Sequence, residues 1–144
     1  MICNVENLLE MNMNLVFVPT SFGELIDKIT ILRIKSERIE NGEKLQNIMN
    51  ELKMLEEIKG ESIPPSIDIQ DEFAQLKITN ETLWDIEDHI RAKENRKEFD
   101  GEFIQLARSV YIENDRRAGI KRRINQKLGS SILEEKSYTD YRIT

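Results

Sequence analysis

The stretch IQDEFAQLKITNETLWDIEDHIRAKE, residues 69–94, carries an aliphatic side chain at every seventh position: Ile69, Leu76, Leu83 and Ile90. A recurrence of seven keeps those side chains on one stripe of a helix, so the spacing predicts a long helix over about residues 67–97. Phe73 begins a second stripe beside the first. Continuing from Phe73 by sevens meets Asn80, Glu87 and Glu94, with Arg91 one turn on from Glu87. Ionisable residues where a bundle should be apolar break the binary pattern, and a clustered break of that kind marks a candidate site. A kink or restart is expected near Asn80, which could cap it.

Working outward, Ile63, Pro64, Pro65 and Ser66 form the one connector of any length upstream, where a change of direction is expected. Before it, Leu45, Ile48, Met49, Leu52, Leu55 and Ile58 form an orderly stripe, predicting a helix over about residues 43–59. Asn41 and Gly42 supply a left-handed stop for a helix that starts earlier, at Ser21. There Ser21, Phe22, Gly23 and Glu24 have the S-x-x-E form of a capping box. Residues 14–19 (NLVFVP) are β-branched and stopped by proline, which reads as a lone strand or an extended lead-in. Downstream, Phe99, Asp100 and Gly101 mark a tight turn. A fourth helix runs to Leu128 and stops at Gly129, and residues 129–144 show no firm period.

Short links after the first and third helices imply two antiparallel hairpins, residues 21–59 and 67–128, that bury their stripes against each other. The fold class is therefore all-α, an antiparallel bundle of about four helices in a single domain, with residues 1–19 as lead-in and 129–144 as an arm. The expected core is Leu25, Ile29, Leu32, Leu52, Leu55, Leu76, Leu83, Ile90, Leu106, Val110 and Ile124. The third and fourth helices are long for a domain of 144 residues, and Ile34, Ile104 and Ile112 lie outside the main stripes. Both features point to self-association as a homodimer.

Composition removes several classes of function. The formal charge of -6 argues against nucleic acid and anionic membrane as partners. Cys3 is the one cysteine, which excludes an internal disulfide, a thiolate zinc cluster and a redox pair. No run approaches a membrane span, and residues 1–13 hold Glu6 and Glu10 without a basic residue, a poor signal peptide. The cytoplasm is the expected setting. Glycine-rich phosphate loops, nucleophile elbows and the H-E-x-x-H motif are all missing. His89, the sole histidine, lies off the apolar line and reads as solvated.

Three clusters remain. On the first helix, Glu24, Asp27, Lys28 and Lys35 share a face with Ile31, since spacings of three, four and seven return to one side. An ordinary solvated face with a Glu24–Lys28 pair would be worth only about 0.2–0.5 kcal/mol, and Ile31 would be odd on it. On the third helix, Glu87, Arg91 and Glu94 neighbour Trp84, Leu83 and Ile90, with Asp85 and Asp88 further round. They read either as a register-fixing ion pair or as carboxylates in a partly dry cavity, able to bind metal or accept a proton. On the fourth, Asn114, Arg117 and Lys121 sit within the apolar stripe of Phe103, Val110, Ile124 and Leu128, beside Arg108, Tyr111 and Asp115. The basic run RRAGIKRRINQK, residues 116–127, can complement the helix dipole. Alternatively, Arg117 and Lys121 point inward to hold a phosphate or carboxylate.

The segments SFGELIDKITILRIKSERI (21–39), LWDIEDHIRAKE (83–94) and FIQLARSVYIENDRRAGIKRRIN (103–125), with EEKSY at 134–138, resemble a short helical family of bacteria and phages. That family has no known function and is sometimes a module in larger proteins linked to repeats or glycosyl transfer. The resemblance implies that the three polar clusters belong together. In outline the chain is also similar to all-α nucleotide pyrophosphohydrolases, which hold magnesium on helical E-x-x-E and E-x-x-D pairs. Glu24 and Asp27 match the second pair, but the first does not precede them. Helical chorismate mutases share the inward basic residues, in a different order.

Two readings follow. In the first, a charged cavity inside the bundle binds a phosphorylated small molecule or nucleotide, with magnesium-dependent hydrolysis as an extension. Glu24, Asp27 and Asp115 would hold the metal, and Lys28, Arg91, Asn114, Arg117 and Lys121 the ligand. Glu87 and Asp88 would be the catalytic carboxylates. In the second, the charges only fix helix register or a homo-oligomeric interface. Convergence of the clusters on one pocket favours the first, and dispersed ion pairs favour the second.

Overall fold

The computed structural model describes residues 14–142. Four helices lie among the described residues: α1 (Phe22–Arg38), α2 (Gly42–Ser62), α3 (Gln70–Arg96) and α4 (Gly101–Leu128). They form an all-α four-helix bundle, with no strand among the described residues. Residues 14–19 run as exposed chain, so the strand alternative for the lead-in is not realised. Cys3 and the rest of residues 1–13 lie outside the described residues.

Local chemistry sets the ends of the helices. Ser21 caps α1 by accepting the Glu24 amide at 3.1 Å, and Asn41 does the same for Lys44 in α2. Each satisfies an amide that the first turn leaves without an intrahelical partner. Asp100 caps α4 through the Phe103 amide at 3.0 Å. Between α3 and α4 the left-handed residue is Lys97, at φ 56°, and Gly129 takes the same conformation after α4. No break occurs at Asn80. The helix passes straight through it, because its side chain is engaged with a neighbouring helix rather than with the local backbone. Gly60 likewise fails to stop α2, which runs on to Ser62 and closes with the Ile63 amide bonded to the Lys59 carbonyl.

The hub is α1. It packs against each of the other three helices, and α3 packs along α4. A short helix surrounded in this way has almost no free side, and its buried residues include Ile26, Asp27, Ile29, Thr30, Leu32 and Ile34. α2 is peripheral and contributes no buried residue, only half-buried ones such as Leu52 and Leu55 against the core.

The core is Ile26, Ile29, Ile69, Leu76, Ile120 and Ile124. Ile29, Leu76 and Ile124 were expected there, and Leu32, also expected, is buried outside that cluster. Leu25, Leu52, Leu55, Leu83, Ile90, Leu106 and Val110 are only half-buried. Ile34, expected outside the stripes, is instead 1% exposed, so it has no part in a dimer surface. The heptad line loses burial beyond Leu76 because a helix of 3.6 residues per turn drifts about 20° per heptad. Length adds to this: α1 spans about 25 Å, while α3 and α4 span about 40 Å. The last turn of α1 reaches α3 at Asp85, which Arg38 holds at 2.6 Å.

Candidate functional site

Asp27 is the deepest polar group. One turn into α1 and wholly buried, it faces Arg117 of α4 and Asn80 of α3. Arg117 grips both carboxylate oxygens, donating from Nε to Oδ1 at 2.9 Å and from Nη2 to Oδ2. Asn80 Nδ2 donates to Asp27 Oδ1 and to Thr30 Oγ1, each at 2.9 Å. The Thr30 hydroxyl in turn donates to the Asp27 carbonyl at 2.7 Å. Every member is partnered, and the paired, hydrogen-bonded state is the one in which a buried carboxylate is tolerable. Burial pulls the Arg117 pKa down, but the hydrogen bond and charge of Asp27 outweigh it and leave the guanidinium above its usual range.

One turn toward the N-terminus of α1, the two backbones nearly touch. The Gly23 amide donates to Asn125 Oδ1 at 2.6 Å, and a Cβ on Gly23 would stand 2.6 Å from the Lys121 carbonyl oxygen. This approach carries Glu24 onto Lys121, whose ammonium donates to Glu24 Oε2 at 2.5 Å and to Glu134 Oε2 at 3.0 Å. Desolvation lowers the Lys121 pKa, and the two carboxylates raise it by more. Hydrogen bonding with Glu24 and Lys121 holds Glu134 below the usual glutamate range, against the opposing pull of burial.

Glu134 belongs to the C-terminal arm, which has no regular secondary structure and runs back along α4. Arg122 binds Glu135 at 3.1 Å, and Lys136 reaches the Asn114 carbonyl at 3.5 Å. The Tyr141 ring meets Tyr111 edge-on at 4.7 Å. A hydrogen bond to Asp115 holds the Tyr141 phenol above its ordinary value. Between arm and helix lies a cleft of about 480 Å³, floored by Asn114, Arg117 and Lys121 and walled by Tyr111, Lys136 and Tyr138. It adjoins a second hollow of about 670 Å³ among Tyr111, Asp115, Tyr138 and Tyr141.

The clusters of the first and fourth helices therefore meet, and the third helix contributes Asn80 alone. Glu87 and Arg91 pair with each other at 3.1 Å on the open side of α3, with side chains 49% and 79% exposed. The shielding expected of at least one of them is not found. Asp88 is exposed as well. All three lie past the end of α1, where no layer covers that face. Lys28 points away from the cleft to Glu51 of α2 at 2.9 Å. The proposed metal trio does not assemble: Asp27 is spent on Arg117 and Asn80, Glu24 faces Lys121, and Asp115 turns to Lys136 and Tyr141. Among the described residues, no group of three histidine, cysteine, aspartate or glutamate side chains is arranged to hold a metal ion.

Sequence reasoning missed Lys93 and the arm. Lys93, nearly buried, gathers Asp100, Glu102 and Glu98 at 2.9–3.2 Å across the α3–α4 turn. Those hydrogen bonds, Asp100 first, hold its ammonium well above the usual lysine range. The three acids within five residues of a turn were the available signal. Glu134, Lys136 and Tyr138 were visible only as part of the quoted resemblance, since an irregular strap has no period to read.

Fold and site together define an all-α bundle with a polar cleft between its last helix and a C-terminal strap. The chain belongs to a family of unknown function, DUF6165, whose model matches residues 16–144. No curated protein and no solved structure matches it. Among the described residues, no helix is long and apolar enough to cross a membrane.

Proposed function

We propose that the protein binds a small phosphorylated molecule in the cleft between α4 and the C-terminal arm. The observation that carries this reading is the gathering of donors on one wall and floor. Lys121, Lys136, Arg117 Nη1, the Asn114 amide and the phenols of Tyr111 and Tyr138 share a hollow of about 480 Å³. Ammonium and guanidinium groups with an amide suit a phosphate, and aromatic walls beside them suit the less polar remainder of the ligand. Arg117 lines the cleft, and its Nη1 is left with one long 3.5 Å hydrogen bond to Asn114 Oδ1.

Hydrolysis is not part of the reading. The carboxylates assigned to it, Glu87 and Asp88, are exposed on α3, and Asp27 is already neutralised by Arg117. The test is a thermal-shift screen of nucleotides and sugar phosphates, with and without magnesium, on the wild-type chain and on Lys136→Gln. A rise in melting temperature that the variant loses supports the cleft, because ligand bound to the native state alone must stabilise it. No rise with any phosphate, or an equal rise in the variant, would overturn it.

A homodimer is a second reading, favoured by a separate feature. Where α3 and α4 outrun α1, Phe99 and Ile104 are more than half exposed, and Ile90, Phe103 and Leu106 are only half-buried. A second copy would complete that two-helix end as a bundle. Sedimentation showing a monomer over a wide concentration range would sink it.

A further inference from the structure

Charge counting in the cleft leaves one group in excess. Arg117 is balanced by Asp27 and Lys121 by Glu24, both carboxylates standing on α1, and Lys136 faces Asp115 at 3.9 Å. Glu134 then brings a further carboxylate to Lys121. It comes from a segment without helix or strand, beginning just past the left-handed Gly129. The arm has no apolar anchor near this point, since Ile132 and Leu133 are exposed. Beside Glu134 its other polar ties are the Arg122–Glu135 pair at the surface and the long Lys136 contacts with Asn114 and Asp115, of the kind that exposed side chains make and break readily. Tyr141 holds the arm's far end against Tyr111.

We infer that Glu134 is the cleft's own occupant, an arm-borne carboxylate that an incoming oxyanion must displace from Lys121. The inference rests on the phosphate-binding reading above and adds its regulation. With Glu134 docked, Lys121 is 8% exposed and two of its three ammonium protons go to Glu24 and Glu134. With Glu134 withdrawn, the two α1 pairs remain and the ammonium proton that Glu134 held is released to the cleft that Lys121 shares with Arg117. The ligand's oxyanion takes the place of the carboxylate, and charge in the cleft changes little. Anything that pulls the arm away opens the site, and anything that presses it down closes it.

The test titrates inorganic phosphate, with acetate in parallel, against three full-length chains: wild type, Glu134→Gln and Glu135→Gln. Backbone amide shifts report binding, and tryptic cleavage after Lys136 reports release of the arm. Glu135→Gln removes the same charge one residue away, from a carboxylate that faces Arg122 rather than Lys121. If the arm is open for about a tenth of the time, Glu134→Gln should tighten phosphate roughly tenfold, because apparent affinity scales with the open fraction. Glu135→Gln should not, and phosphate should speed cleavage of the wild-type arm. Equal affinity in wild type and Glu134→Gln overturns the exchange and leaves the binding function standing. Equal tightening in both variants also overturns it, as an effect of net charge. Phosphate binding to none of the three overturns the function and the exchange together. Release by acetate as readily as by phosphate keeps the exchange and overturns the preference for phosphate.

Discussion

Replacing Asp27 by Ala strips the bundle of the one group that holds three helices at a point. The carboxylate accepts from Arg117 twice and from Asn80 once, and it is wholly buried. Asn80 keeps its second bond to Thr30, so the orphan is Arg117. Breaking a buried pair by removing one partner costs about 3–5 kcal/mol. The Arg117 side chain is 28% exposed, so water can reach one edge of it, and the lower end of that range is expected. Against a typical domain stability of about 5–15 kcal/mol, a loss near 3 kcal/mol is large but survivable. In urea it should lower the unfolding midpoint by about 1–3 M at unchanged slope. The companion is Asp27→Leu with Arg117→Met, which replaces both charges by apolar groups and should regain most of the loss. A single-variant loss below about 1 kcal/mol, or a double variant as damaged as the sum of its parts, would refute the view that this pair is a satisfied structural unit.

Gly23→Ala should cost at least about 1–3 kcal/mol as overpacking, because its Cβ would meet the Lys121 carbonyl at 2.6 Å; calorimetry showing an unchanged melting temperature would mean α1 and α4 are farther apart. Leu76→Ala should cost about 2–5 kcal/mol and Leu83→Ala distinctly less, since Leu76 is fully buried and Leu83 only half so; the reverse order in urea melts would show α3 rotated from the phase described. Glu72 is held below the ordinary glutamate value of 4.5, chiefly by its hydrogen bond to Lys127. A depressed folded pKa gives stability that is complete above 4.5 and lost as pH falls through the lower folded value, so Glu72→Gln should flatten the acid limb of a stability–pH curve. An unchanged limb would remove Glu72 from that role.

How far the site could be read from the chain depends on the element. The first-helix face of Glu24 and Asp27 was legible because Ile31 made a solvated reading awkward, and Ile31 is indeed half-buried. Arg117 and Lys121 were legible because they interrupt an apolar stripe. Lys28 shares the spacing of Glu24 yet points to α2, a difference that no spacing rule on one helix can express. On α3 the same row of sevens contained one residue buried against α1, Asn80, and two left exposed, Glu87 and Glu94. Periodicity alone treats them alike.

What the amino-acid order determined by itself is local: four helices, the Ser21 cap, the stop at Gly129, and the two hairpins. Each follows from contacts within a few residues, where the backbone's unmet amides and carbonyls are satisfied or not. The left-handed stop expected at Asn41 and Gly42 is not formed, since α1 ends on the extended Ile39 while Asn41 caps α2 and Gly42 begins it. What tertiary structure decided is which polar residue is buried. α1, with 17 residues against 27 and 28 for α3 and α4, covers only part of its neighbours. Asn80 lies under it, and Glu87 lies beyond it. The arm's return along α4, bringing Glu134 to Lys121 from 13 residues away, was likewise set by where opposite charges met in space.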